Sequence, residues 1–149
     1  DLPKRILLCR FPILGSFLVR GLNGFAGLAT FMAVKNSLNP DIKKGFLYPY
    51  NNWQNRIAVW KFVKDIPFEK NHPSLSLLKE TENSLKNYGK TPILACWGMK
   101  DFCFHGGFLD EWIKKLPHIT SHRFEEAGHY LLEDKFEDCR SKIEPFLFG

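Results

Sequence analysis

Pro92-Ile-Leu-Ala-Cys-Trp-Gly-Met-Lys-Asp101 is the stretch on which the fold is decided. Residues 93–97 form a short unbroken apolar run, entered through Pro92 and closed by Gly98. A strand buried on both faces of a parallel sheet reads this way. Residues 119–124 are a second strand candidate, and a helix from about Phe108 to Leu116, stopped by Pro117, separates the two. A final helix is expected from Asp134 to Phe148. Asp134 and Glu137 have the spacing of a capping box, and Phe136, Cys139, Ile143 and Phe146 line an apolar stripe. Strand, helix, strand, helix with short connections is the pattern of an α/β fold.

Upstream the texture differs. Residues 5–47 are apolar and helical in character but broken by Pro12, Gly15, Gly21, Gly24 and Gly27, which predicts short kinked helices. Residues 45–50 read as an extended connector, because Pro49 disfavours helical angles at Tyr48. A helix is expected from about Asn52 to Lys64, with Trp53, Ile57 and Trp60 on one face and Pro67 as its stop. Another runs from Ser74, as N-cap, to Tyr88, with Gly89 ending it.

The 149 residues are 44% apolar, 15% aromatic and 25% charged, which argues against disorder and fibrous repeats and suits one domain. The net charge of +5 is uneven, with eleven Lys/Arg against four Asp/Glu up to residue 75 and ten against twelve beyond it. The basic residues are scattered, without a run interleaved with aromatics, so the pattern is that of a solvated face and not of a nucleic-acid site. Cys9, Cys96, Cys103 and Cys139 form no close pairs. Small core thiols in a reducing cytoplasm are therefore expected. The uncharged run between Arg20 and Lys35 is shorter than the ~20 residues a bilayer span needs, so no transmembrane segment is expected. A surface-lying amphipathic segment is the alternative for this region.

Loops at the carboxyl ends of parallel strands gather at one sheet edge, where ligands bind. Asp101 follows the first strand candidate and His129, in Glu125-Glu-Ala-Gly-His129, follows the second. A carboxylate and an imidazole on neighbouring loops can meet, the acid fixing the tautomer while the other ring nitrogen acts as general base. The competing account is a surface Asp and a surface His in unrelated turns. Cys96, Cys103, His118 and His122 faintly echo a zinc spacing, but the cysteine gap is too wide and Cys96 lies inside the strand, so no metal is assigned. His72 and His105 carry no partner pattern.

The stretch 92–101, with Ala127-Gly-His-Tyr-Leu-Leu-Glu-Asp134, resembles the C-terminal end of α/β-hydrolases of the haloalkane dehalogenase-like group. Tyr48-Pro-Tyr50 and Asn55-Arg-Ile-Ala-Val-Trp-Lys-Phe-Val-Lys-Asp-Ile-Pro67 resemble the cap exit of that group. Together with Phe102-Cys-Phe104 and Glu111-Trp112, these motifs are most similar to the β-lactone decarboxylases of long-chain olefin biosynthesis. The resemblance implies a helical cap over residues 1–72 and, over 73–149, the last two strands of the core sheet with flanking helices. It implies Asp101 as the catalytic acid and His129 as the base, with no cofactor. The family's nucleophile, an Asp on a strand-to-helix elbow, has no counterpart here. Gly-x-Asp-x-Gly, Gly-x-Ser-x-Gly and His-Asp-Trp-Gly are all absent, and Gly15-Ser16 lacks the flanking pattern. The expectation is a C-terminal fragment whose attacking carboxylate lies upstream, inactive and poorly soluble by itself. The substrate would be an apolar small molecule, and the partners the missing half of the domain and other biosynthetic enzymes. The cap aromatics Trp53 and Trp60, and Phe102, are accounted for by ordinary packing and are not assigned as substrate contacts. The alternatives are a haloalkane dehalogenase, an epoxide hydrolase, one half of a split enzyme, or a non-catalytic interaction module.

Overall fold

The structure, a computed structural model, describes residues 4–149. The chain divides into two compact units, one ending at Ile66 and the other spanning Pro67–Gly149.

The first unit is built from short helices: α1 (Lys4–Arg10), α2 (Pro12–Ser16) continued by a π-helical turn at Phe17–Gly21, α3 (Ala26–Met32), α4 (Pro40–Leu47) and α5 (Ile57–Asp65). Breaks fall before Pro12 and Pro40 and at Gly21 to Gly24, as expected, whereas Gly15 and Gly27 lie inside α2 and α3. Pro12 and Pro40 occupy first turns, where a missing N–H costs nothing. Gly15 is required by space, since a Cβ there would lie 2.0 Å from the Cys9 carbonyl oxygen. Asn39 caps α4 by accepting the Asp41 N–H at 2.9 Å. Val19, Ala33, Val34 and Val63 are buried, and the Arg10 guanidinium donates to the Val63 and Ile66 carbonyls at 3.2 and 2.5 Å, closing the end of α5. Ile66 is extended (ψ 122°), as a residue before proline prefers.

Two expectations fail in this unit. Residues 45–50 are not extended: α4 runs to Leu47, Tyr48 is helical (φ −55°, ψ −45°), and Tyr48–Tyr50 form a 3₁₀ turn. Pro49 sits in the first turn of that element, and Arg56 donates from Nε to the Tyr50 carbonyl at 2.7 Å, so the tight turn keeps a hydrogen-bonded end. The helix expected from Asn52 begins instead at Ile57. Asn52 Oδ1 accepts the Asn55 N–H at 2.9 Å, and Asn55 Nδ2 donates to Asn51 Oδ1 at 2.9 Å, a side-chain alternative to helical bonding. Trp53 therefore precedes the helix, with the Arg20 guanidinium stacked 4.2 Å from its ring.

Arg56 also donates from Nη1 to the carbonyls of Arg20 (2.7 Å) and Gly21 (3.2 Å), tying the π-helical turn to the 3₁₀ turn. Arg56→Ala strands these carbonyls together. We expect a loss of about 1–3 kcal/mol, read as a lower chemical-denaturation midpoint with an unchanged slope. Among the described residues no single helix is long and apolar enough to cross a membrane. The segments Pro12–Gly21 and Ala26–Met32 reach that length and apolarity only jointly, across a 68° bend.

The second unit contains α6 (Ser74–Ser84) with a 3₁₀ extension to Tyr88, β1 (Leu94–Gly98), α7 (Gly106–Lys115), β2 (Thr120–Phe124), α8 (Leu131–Asp134) and α9 (Phe136–Phe148). The strands pair in parallel, from Leu94 opposite Thr120 to Gly98 opposite Phe124, with α7 as the crossover. Gly89 (φ 55°) ends the 3₁₀ turn in a conformation that favours glycine. Leu109, Leu116, Ala127 and Cys139 form the core.

Here too there are corrections. The backbone of Ser74 is already helical, and its N–H is taken by His72 Nδ1 at 3.2 Å. β1 is not buried on both faces: residues 94–97 are half-buried and Gly98 alone is buried. The last helix is broken at Lys135 (φ −144°, ψ 48°), and Asp134 forms no capping box. Its Oδ2 instead accepts the Gly128 N–H at 2.8 Å. All four cysteines are free thiols, but Cys139 alone is buried while Cys9, Cys96 and Cys103 are half-buried. Burial, reinforced by the neighbouring Cys96 thiol, pushes Cys139 up to about 11.

Candidate active site

The site is assembled at the carboxyl ends of β1 and β2, where the connections to α7 and α8 run side by side. Their closeness depends on glycine. A Cβ on Gly98 would stand 2.3 Å from the Gly128 carbonyl oxygen and 2.7 Å from that of Ala127. Two backbone bonds extend the ladder past the strand ends: Met99 N–H to the Phe124 carbonyl (3.0 Å) and Lys100 N–H to the Ala127 carbonyl (2.9 Å). Asp134 restrains the second connection through Gly128.

Onto this frame the chain hangs its acid and its imidazole. His129 Nδ1 lies 2.8 Å from Asp101 Oδ2. The other carboxylate oxygen, Oδ1, accepts the backbone N–H groups of Cys103 (2.7 Å) and Phe104 (2.9 Å). With its side chain only 10% exposed, Asp101 is held in one orientation by three donors, whereas the His129 side chain is 32% exposed. An Asp101 carboxylate accepts and does not donate, so it selects the tautomer with the proton on Nδ1. That leaves Nε2 with a lone pair, and among the described residues no hydrogen bond engages it. Phe102, Phe104 and Tyr130 surround the imidazole, with ring centroids at 6.1, 5.6 and 5.9 Å. The nearby Cys103 thiol is pushed up, first by burial and then by the Asp101 charge.

Asp101 and His129 thus meet, which the spacing left open against the account of two unrelated turns. The backbone donors on the carboxylate, the close approach at Gly98 and the Asp134–Gly128 contact escaped the sequence reading. In the sequence Gly98 reads as a strand terminus and Asp134 as a helix cap, both within the stretches that carry the family resemblance. Of the residues with zinc-like spacing, His122 stands opposite Cys96 in the strand register. Among the described residues no group of three His, Cys, Asp or Glu is placed to hold a metal ion. Phe102 is 42% exposed beside the imidazole, and Trp60 in α5 has the Lys64 ammonium 4.7 Å from its ring.

No family model matches the chain. In sequence it is 37% identical over 147 residues to a cis-3-alkyl-4-alkyloxetan-2-one decarboxylase of Shewanella oneidensis, and 32% identical over 146 residues to one of Xanthomonas campestris pv. campestris. Each alignment takes in 98% of this chain but 46% and 49% of the relative, so the chain spans about half the length of the curated relatives it matches. Among solved structures, the haloalkane dehalogenase DatA of Agrobacterium tumefaciens superposes with a TM-score of 0.84 at 19% identity, over 99% of this chain and 52% of its own. The haloalkane dehalogenase DbeA of Bradyrhizobium elkani superposes at 0.87 and 18%, over 97% and 50%. The chain has the architecture of the C-terminal part of an α/β-hydrolase, the fold of the haloalkane dehalogenases, and in sequence it is similar to the oxetanone decarboxylases.

Proposed function

We propose that this chain forms the lid and the histidine–carboxylate half of a β-lactone decarboxylase acting on cis-3,4-dialkyl oxetan-2-ones. In this reading the attacking carboxylate stands on polypeptide outside residues 1–149, residues 1–72 are the lid, and the enzyme works in the cytoplasm. The observation that carries it is the 2.8 Å contact between His129 Nδ1 and Asp101 Oδ2 at adjacent strand ends, in a chain similar to such decarboxylases over 98% of its length. The reaction breaks the ring C4–O1 and C2–C3 bonds and forms the C3–C4 double bond. Alkene and carbon dioxide account for every atom, so no redox cofactor is needed. A carboxylate attacking C4 forms an ester bond there and breaks C4–O1, leaving a carboxylate on C3; cleavage of C2–C3 then forms the double bond, releases carbon dioxide and frees the attacking carboxylate. The sum has no net proton change, so the Nε2 of His129, oriented by Asp101, serves turnover by transient proton exchange with the intermediate, a proton moved in one step being returned in the other. The apolar lid suits long alkyl tails, whose burial contributes ~0.8 kcal/mol per methylene.

The test fuses this chain to the part of the Shewanella oneidensis decarboxylase that precedes its aligned region. We expect the fused protein to release alkene and carbon dioxide from a cis-3-alkyl-4-alkyloxetan-2-one. A haloalkane dehalogenase is the second reading, favoured by the TM-score of 0.87 to DbeA. Halide release from haloalkanes without alkene from the lactone would select it. A folded fused protein that turns over neither substrate, beside an active intact relative, would defeat both.

A further inference from the structure

We infer that Trp97 is a positioning residue for the His129–Asp101 pair, its indole N–H holding the loop that supplies the carboxylate's backbone donors. Trp97 belongs to β1 and stands opposite Arg123 in the ladder, so its own backbone is fixed by the sheet. Its Nε1 donates to the Phe104 carbonyl at 2.7 Å. The same residue, Phe104, gives its N–H to Asp101 Oδ1 at 2.9 Å, and its ring lies 5.6 Å from that of His129. A single indole bond therefore fixes a residue that touches both members of the pair, the acid through its amide and the imidazole through its ring.

The loop needs such an anchor at this point. Its beginning is tied by the Met99 and Lys100 amides to the neighbouring connection. Its end is tied at His105, which caps α7 by accepting the Gly107 N–H at 3.2 Å. Between these ends the side chains give a partial hold: Phe102 and Phe104 are 42% and 49% exposed, and the Phe104 ring meets Phe108 of α7 edge-on at 5.4 Å, which leaves the Phe104 backbone to be fixed otherwise. A carboxylate keeps its orientation only while its donors stay in place, and here the donors on Oδ1 sit in that exposed segment. Phenylalanine in place of Trp97 keeps an apolar ring on the strand but has no donor to reach the Phe104 carbonyl.

The kinetic side of this inference rests on the proposed decarboxylase function; the spectroscopic side does not. Trp97→Phe, and replacement of Trp97 by the isosteric benzothienylalanine whose sulfur stands where the indole N–H was, are made in the fused protein. We expect kcat to fall by about 3- to 10-fold with KM unchanged. The downfield Nδ1 proton resonance of His129 should broaden through faster exchange with water in both variants, while far-UV circular dichroism stays unchanged. Sharp, unshifted resonances and wild-type kcat in both variants would overturn the inference. If no alkene forms in any version but the resonance still broadens, the decarboxylase reading fails and the positioning role stands. If alkene forms at the parental rate and the resonance is unaffected, the function stands and the positioning role falls.

Discussion

On the proposed function, removal of the His129 imidazole should lower kcat of the fused protein by about 10²- to 10⁴-fold while leaving it folded, because the ring supplies the one unengaged basic nitrogen of the pair. The side chain is 32% exposed and packs beside the exposed Phe102 and Phe104, so His129→Ala creates no buried cavity. Asp101→Asn should cost a comparable factor for a different reason. The amide oxygen can still accept the Cys103 and Phe104 N–H groups, and the local fold survives. Its NH₂ then faces His129 Nδ1 as a donor, which forces the ring proton onto Nε2 and leaves no lone pair there. Asp101→Ala is a poorer probe, since it leaves two backbone donors unpaired in a mostly enclosed place. The two residues act as a unit, so the double variant His129→Ala/Asp101→Asn should be no slower than the worse single one. Alkene release at the parental rate from His129→Ala would contradict the assignment, and strictly additive losses would contradict the coupling.

The parts that could be read from the chain were those where local chemistry and tertiary context agree. The apolar run at 93–97 became β1 with a shift of one residue, and Gly89, Pro67 and Pro117 ended their elements as their backbone restrictions require. A parallel crossover brings the two strand ends together whatever the intervening sequence, which puts Asp101 and His129 on adjoining loops, but their meeting was left open by the spacing and pointed to by the family resemblance. Several of the failures share a cause: a polar side chain took a partner that apolar spacing does not register. Asp134 had Glu137 at the capping distance but bonds instead to Gly128, six positions upstream. Asn51, Asn52 and Asn55 satisfied one another and delayed α5, although the apolar spacing through Trp53 read as helix. Tyr48 accepted a helical backbone before proline because Arg56 closes the turn that follows. Whether local, as among the asparagines, or between turns, as at Gly128 and Arg56, such contacts leave no trace in the periodicity.

Gly98 offers the sharpest separation between what the fold tolerates and what the site requires. Gly98→Ala should cost about 1–3 kcal/mol or more in stability, because the new methyl meets backbone oxygen at 2.3 and 2.7 Å on the adjoining connection. No flexible side chain is available to yield there. Relief comes only by pushing the Ala127–Gly128 peptide outward, which lengthens the Lys100 N–H contact to Ala127 and carries His129, the next residue, away from Asp101. Misplacement of a catalytic group by ~1 Å costs about 10²-fold, so activity should fall well below the level that partial unfolding explains. Gly45→Ala provides the matched control: it lies within α4 with open space around its Cβ position. There alanine should stabilise by about 0.5–1 kcal/mol, by removing glycine's backbone freedom from a helix, and leave kcat alone. The comparison is made by thermal unfolding and kcat measured well below the melting point of both variants. Gly98→Ala with unaltered melting and turnover would mean that the two connections do not approach as closely as Gly98 implies, and the imidazole–carboxylate geometry would lose its frame.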